Sequence, residues 1–188
     1  MTAVSRRGFL GFGAAAFLAA CDGSIVGNGV NSNGAAQIDA RVDATRDYLF
    51  SNYPGTQSLS QNAKGILFMP LLTEVGFGVG GGYGRGALRI NGVTVDYYSA
   101  TRATIGLQIG AQQYAHALFF MTEDALANFR RSNGWAAGAD IRYATPEQGA
   151  TLGTDTTELD PVIGLVFGQQ GLIAGATLSG VKYSRIIP

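Results

Sequence analysis

The sequence predicts an α+β domain built on a mostly antiparallel, strongly curled or barrel-like sheet, with a glycine-rich strand and two or three helices. Three observations point there. From Val75 to Gly86 glycine holds every even position, at Gly76, Gly78, Gly80, Gly82, Gly84 and Gly86. Period two is the strand period, so one face of this strand has almost no side chains while the other carries Phe77, Val79, Tyr83 and Arg85. Asn91-Gly92 between two apolar alternating runs is a two-residue hairpin signal. Many further short apolar runs lie between turn residues and few segments have helical spacing, a pattern of strands that curl or close. Glycine inside a strand weakens it, so a bare face implies close approach of another surface. A side chain added at Gly78 or Gly80 is expected to overpack that approach.

The elements follow in order. Ile38, Val42, Thr45 and Leu49 have helical spacing, which predicts a helix over 37–52, stopped by Pro54-Gly55. A short helix is expected at 59–63. Gly65 to Leu72 reads as an apolar strand interrupted by Pro70. The ladder runs on to Ile90, and Val93 to Tyr98 returns as its partner. Thr101–Ile109 and Gln112–Met121 read as two more strands. Thr122 caps a helix over 123–132, with Glu123 and Asp124 in its first turn and Arg130 and Arg131 in its last, as the helix dipole favours. Trp135 to Tyr143 reads as a strand and 145–160 as a polar loop. Val162–Phe167 and Leu172–Leu178 read as a hairpin, and Val181–Ile186 closes the chain.

The N-terminus carries a targeting signal. Arg6-Arg7 followed by Phe9-Leu10, a short apolar run, and Leu18-Ala19-Ala20-Cys21 resemble a bacterial export signal ending in a lipobox. The run is shorter than the roughly 20 apolar residues a membrane span needs. The paired arginines resemble a twin-arginine signal, although ordinary secretory n-regions also contain them. Residues 1–20 are thus expected to be a signal peptide and 21–36 a flexible Gly/Asn-rich tether beginning at a lipidated Cys21. Residues 37–188 are expected to form a single domain. The expected location is the periplasmic face of a bacterial membrane. Asp22 after the acylated cysteine favours the inner membrane over the outer.

Composition narrows the function classes. Thirteen Lys+Arg balance thirteen Asp+Glu. Losing Arg6 and Arg7 with the signal leaves the remainder slightly acidic, so nothing favours nucleic acid. One cysteine and one histidine exclude an internal disulfide and any Cys/His metal cluster. His116 lies in an apolar strand, and no nucleophile-elbow pattern accompanies it, so no enzyme activity is expected. Gly76-Phe77-Gly78-Val79-Gly80-Gly81 fits GxGxxG formally, but the glycines continue as a ladder and no helix follows. Neither a cofactor nor a metal is expected.

Several separated motifs resemble one family. Ala63-Lys64-Gly65-Ile66-Leu67-Phe68-Met69-Pro70, Gly76 to Gly81, and Phe119-Met121-Thr122 with Ala125-Leu126 and Phe129 occur in order. Ser132-Asn133-Gly134-Trp135 and Pro161 to Leu172 complete the series. The chain over most of 37–188 is similar to the SYLF domain, whose family includes a yeast actin-binding protein and bacterial lipoproteins. The resemblance implies membrane lipid binding. Its eukaryotic members resemble phosphoinositide readers and actin adaptors that use basic residues and a preceding amphipathic segment. Here residues 22–36 have no Lys or Arg, so an actin partner is not expected. Two readings stand: a module that binds membrane lipid through an anionic headgroup, and a non-catalytic envelope scaffold that docks a protein partner. For headgroup contact the candidate residues are Lys64, Arg85, Arg89, Arg130, Arg131 and Lys182, with Arg85 and Arg89 on one side of a strand by parity.

Overall fold

Asn91 and Gly92 both take positive φ, 51° and 80°, the turn geometry that lets two right-twisted strands meet in a two-residue hairpin. The strands they join are very long: β1 spans Gly65–Ile90 and β2 spans Val93–Phe120. The computed structural model describes residues 33–138, 141–144, 160–170 and 178–188. Around the hairpin stand α1 (Gly34–Asn52), α2 (Thr56–Asn62), α3 (Glu123–Arg131), and the short strands β3 (Trp135–Ala136), β4 (Ile141–Ala144), β5 (Val162–Gln170) and β6 (Lys182–Ile186). All lie within one compact unit, Asn33–Pro188.

Strand β2 pairs antiparallel with β1 along its length, with β6 through 97–101 and with β5 through 113–120. β3 adds antiparallel to β6, and β4 adds to β5 as the one parallel pair among the described residues. The result is the mostly antiparallel, strongly curled α+β sheet that the pattern predicts.

The curl follows from length. A 26-residue strand would extend roughly 85 Å, whereas a compact unit of this size has a radius of gyration of about 15 Å. The hairpin therefore bends, and register shifts between Met69 and Leu72 and between Phe77 and Val79 mark where it does so. Past the bend, β1 returns over its own first half. A Cβ on Gly84 would collide with the Leu71 carbonyl, and one on Gly86 with the Phe68 carbonyl and Met69 Sδ. A Cβ on Gly82 would stand 2.8 Å from Glu74 Cγ. The bare face thus accommodates the strand's own backbone. Close approach falls at Gly82, Gly84 and Gly86, toward the C-terminal end of the ladder from Gly78 and Gly80.

Each face of the sheet carries a core. Inside the curl, Leu67, Met69, Leu72, Leu88, Tyr98, Leu118 and Phe120 pack with Leu126 and Phe129 of α3. Phe129 lies with ring centroids 4.6 Å from Tyr98, 4.7 Å from Phe120 and 5.4 Å from Trp135. Thr122 caps α3 as expected, its Oγ1 accepting from the Ala125 N–H at 3.2 Å. On the outer face, Ile38, Val42 and Leu49 of α1 and Leu59 of α2 pack on Ile66, Phe68, Ala87, Ala117, Phe119 and Leu165.

Several element boundaries differ from expectation. The first helix starts at Gly34, inside the stretch read as tether, and the second spans 56–62. Pro70 does not interrupt the strand, because it sits in the bulge after Met69, where ladder pairing is already broken. The two strands expected between Thr101 and Met121 are one continuous β2. Residues 135–143 do not form one strand: β3 and β4 pair with different neighbours, β6 and β5. The expected signal and most of the tether, the loop at 145–159, and the bulk of the return strand at 172–177 lie outside the described residues.

Candidate functional site

Of the six predicted basic residues, the structure holds Arg89 and Arg130 in ion pairs between elements, leaves Lys64, Arg131 and Lys182 exposed, and turns Arg85 to a groove. Arg89 is nearly buried, and its guanidinium lies 2.6 Å from Asp43 and 3.8 Å from Asp39 on α1. Asp39 also accepts from Thr94 Oγ1 at 2.8 Å and from the Tyr97 hydroxyl at 2.7 Å. This cluster pins α1 to the hairpin. Burial, reinforced by the hydrogen bond to the Asp39 carboxylate, pushes the Tyr97 phenol up to about 12. Arg130 pairs with Asp96 at 3.1 Å, and Arg185 approaches the same carboxylate at 3.5 Å. Arg131 donates to Asn128 at 2.9 Å. The Lys182 stem lies against Gly134, where a Cβ would clash with it. Lys64 is exposed at the start of β1, remote from Arg85 along the strand.

Arg85 lines an open groove of about 600 Å³ where α1 meets the outer face of β1. Gln37, Ile38 and Arg41 form the α1 wall. Pro70, Leu71, Thr73 and Val75 form a second wall, and Gly81 to Arg85 the third. The bulge after Met69 builds this arrangement. Before it, the even residues Ile66 and Phe68 face α1; beyond it, odd residues take the outer face. α1 covers that face only at its ends, over Phe68, Ala87 and Arg89. Between them Leu71, Val75, Phe77, Val79 and Tyr83 remain exposed. Arg41 and Arg85 are exposed, and no ion pair involves either among the described residues. The acidic residues nearest in sequence, Asp39 and Asp43, are engaged by Arg89. The groove therefore joins two cations, in no ion pair among the described residues, to the exposed apolar side chains of Leu71, Val75 and Tyr83, which suits an amphiphile with an anionic head.

Two residues central to this region escape sequence reasoning. Arg41 looks like any solvated helix charge, and only the curl brings it opposite Arg85. Glu74 is 6% exposed, and it accepts from Tyr114 Oη at 2.7 Å, from Arg102 at 3.1 Å and from Gln112 Nε2. Arg102 faces the second half of β1, so this cluster ties the two halves of the curl beneath the groove. Burial, with the hydrogen bond to Glu74, pushes the Tyr114 phenol upward. The charged Glu74 within an apolar run is the one sequence signal of it.

His116 is fully buried on the inner face, its Nε2 2.8 Å from the Tyr183 hydroxyl. Burial lowers its pKa to about 3, so it stays neutral and structural at ordinary pH. Among the described residues no group of three His, Cys, Asp or Glu could hold a metal. No described helix is long and apolar enough to cross a membrane.

A family described as Ysc84, Las17-binding protein actin regulator, matches residues 101–185. This is the SYLF family that the separated sequence motifs resemble. The match covers a little under half of the chain, from the second part of β2 through α3 to β6. Among curated proteins no relative matches the chain.

Proposed function

We propose that this chain is an exported bacterial lipoprotein whose domain binds an anionic membrane lipid, or a lipid-like ligand, in the groove between α1 and β1. The observation that carries the reading is the pairing of Arg41 and Arg85, neither of them in an ion pair among the described residues, with the apolar stripe of Leu71, Val75 and Tyr83 that lines the groove. The guanidiniums match a phosphate, and the stripe matches the apolar part of the same molecule. Membrane lipid binding is also what the SYLF resemblance implies. The N-terminus supports the setting. Cys21 would carry the acyl anchor after export directed by Arg6 and Arg7, and α1 opens beside the groove. The dozen or so residues between Cys21 and Asn33 reach about 40 Å at most, which keeps the groove near the bilayer surface. Asp22 favours retention at the inner membrane. The proposal includes neither catalysis nor an actin partner.

The test is titration of the chain with short-chain phosphatidylglycerol below its micelle concentration. Saturable binding is expected, and Arg41→Glu with Arg85→Glu should abolish it without altering the melting temperature. If the native chain binds no such lipid, or the double variant binds as well, the groove is not the site, and the envelope-scaffold reading takes precedence.

A further inference from the structure

The most exposed large side chains lining the ladder lie beyond the groove, at the bend of the hairpin. Phe77 is 80% exposed and Val79 72%, with Val75 beside them at 57%. They share one face by parity, and the register shift between Phe77 and Val79 marks the bend they occupy. Their described neighbours in register are uncharged: Ala111 opposite Val75, Ala103 opposite Gly81 and Thr101 opposite Tyr83. Along this face the order runs Phe77, Val79, Tyr83, Arg85. An apolar tip, then a phenol, then a guanidinium is the order in which side chains distribute from the hydrocarbon boundary to the headgroups. A protein partner could cover the apolar stripe, but Arg41 and Arg85 beside it match an anionic surface.

We infer that the bend of the long hairpin enters the interfacial layer of an anionic bilayer, with Val75, Phe77 and Val79 among the upper acyl groups and Tyr83 and Arg85 at headgroup level. This rests on the lipid-binding reading of the groove and adds the surface and orientation with which the domain meets the membrane.

The test places Phe77→Trp in the full chain on phosphatidylcholine/phosphatidylglycerol vesicles with brominated acyl chains. Trp135 is the sole native tryptophan and packs on Phe129, so the unmodified chain gives the reference emission. The emission added by Trp at 77 should shift to the blue and be quenched by at least about half, while the reference is unchanged. Emission at 77 that stays open to aqueous iodide and ignores bromolipid overturns the inference. A second variant, Phe77→Asp with Val79→Asp, changes only exposed positions. It should partition into vesicles about tenfold more weakly, with unchanged melting temperature and unchanged binding of monomeric short-chain lipid. Equal partitioning overturns insertion while the groove reading stands. Loss of monomeric-lipid binding by the native chain instead removes the groove reading, and the insertion inference with it.

Discussion

Replacing Gly86 by alanine adds one methyl group where β1 crosses its own first half. The new Cβ would collide with the Phe68 carbonyl oxygen and Met69 Sδ. The thioether can swing away, but the carbonyl belongs to the ladder, with Phe68 in register with Ala117, and cannot move without breaking it. Overpacking of this kind costs about 1–3 kcal/mol, and a backbone clash belongs at the upper end. Relief of glycine's conformational entropy returns up to about 1 kcal/mol. The net destabilisation is therefore about 2 kcal/mol, a drop of about 4–8 °C in melting temperature for a domain of this size. Gly81 is the internal control, because its Cβ would meet only the Arg102 carbonyl at 3.5 Å, an ordinary contact. Gly81→Ala should leave the melting temperature unchanged or raise it slightly. Thermal unfolding followed by circular dichroism at neutral pH reads both. If Gly86→Ala melts at or above the native temperature, β1 does not cross itself, and the account of the ladder is wrong.

Other outcomes follow from the same structure. The sole histidine has a folded pKa of about 3 against an ordinary 6.5, so between these values the unfolded chain binds the extra proton. Its contribution to stability is complete above pH 6.5 and falls as pH drops, by about 2 kcal/mol from pH 7 to pH 5. Urea unfolding should show this slope, and His116→Gln should flatten it; equal native stability at the two pH values contradicts the burial of an unprotonated ring. Glu74→Gln removes the buried carboxylate that accepts from Arg102, Gln112 and Tyr114. A loss of about 3 kcal/mol or more is expected in chemical denaturation, and an unchanged midpoint counts against the inner cluster. Cys21→Ser should leave an unprocessed precursor or release the chain from membranes. Unchanged fractionation and N-terminal mass in that variant contradict the lipoprotein reading.

The curled sheet was legible because its main signals are local. Period-two glycines, Asn91-Gly92 and the Thr122 cap each act within a few residues. The bare face of the ladder also declared a close approach, but its partner could not be read. Phe68 and Leu71 lie far back along the same strand, and only the bend at 77–79 brings them under Gly86 and Gly84. Pro70 misled for a related reason: a proline that breaks a strand and one that occupies a bulge look alike without the partner strand. The predicted basic set was drawn from residue type and parity. Parity places Arg85 and Arg89 on one side, and both lie toward α1 although the register shifts between Leu88 and Arg89. What it could not show is that α1 covers Arg89 with Asp39 and Asp43 while leaving Arg85 open. Arg41 carries no signal of its own in the sequence, since its meaning depends on a groove wall more than thirty residues away. The Glu74 cluster was hidden similarly, with Arg102, Gln112 and Tyr114 gathered from the opposite strand.

The central claim is that the groove between α1 and β1 holds an anionic lipid. The most direct measurement is photo-crosslinking of the chain with a phosphatidylglycerol that carries a diazirine near its headgroup, followed by peptide mapping. The label should fall on the peptides containing Gln37 to Arg41 and Pro70 to Arg85, and Arg41→Glu with Arg85→Glu should remove it. Label spread evenly over the surface, or concentrated around Arg130, Arg131 and Lys182 and unaffected by the double variant, would contradict the account.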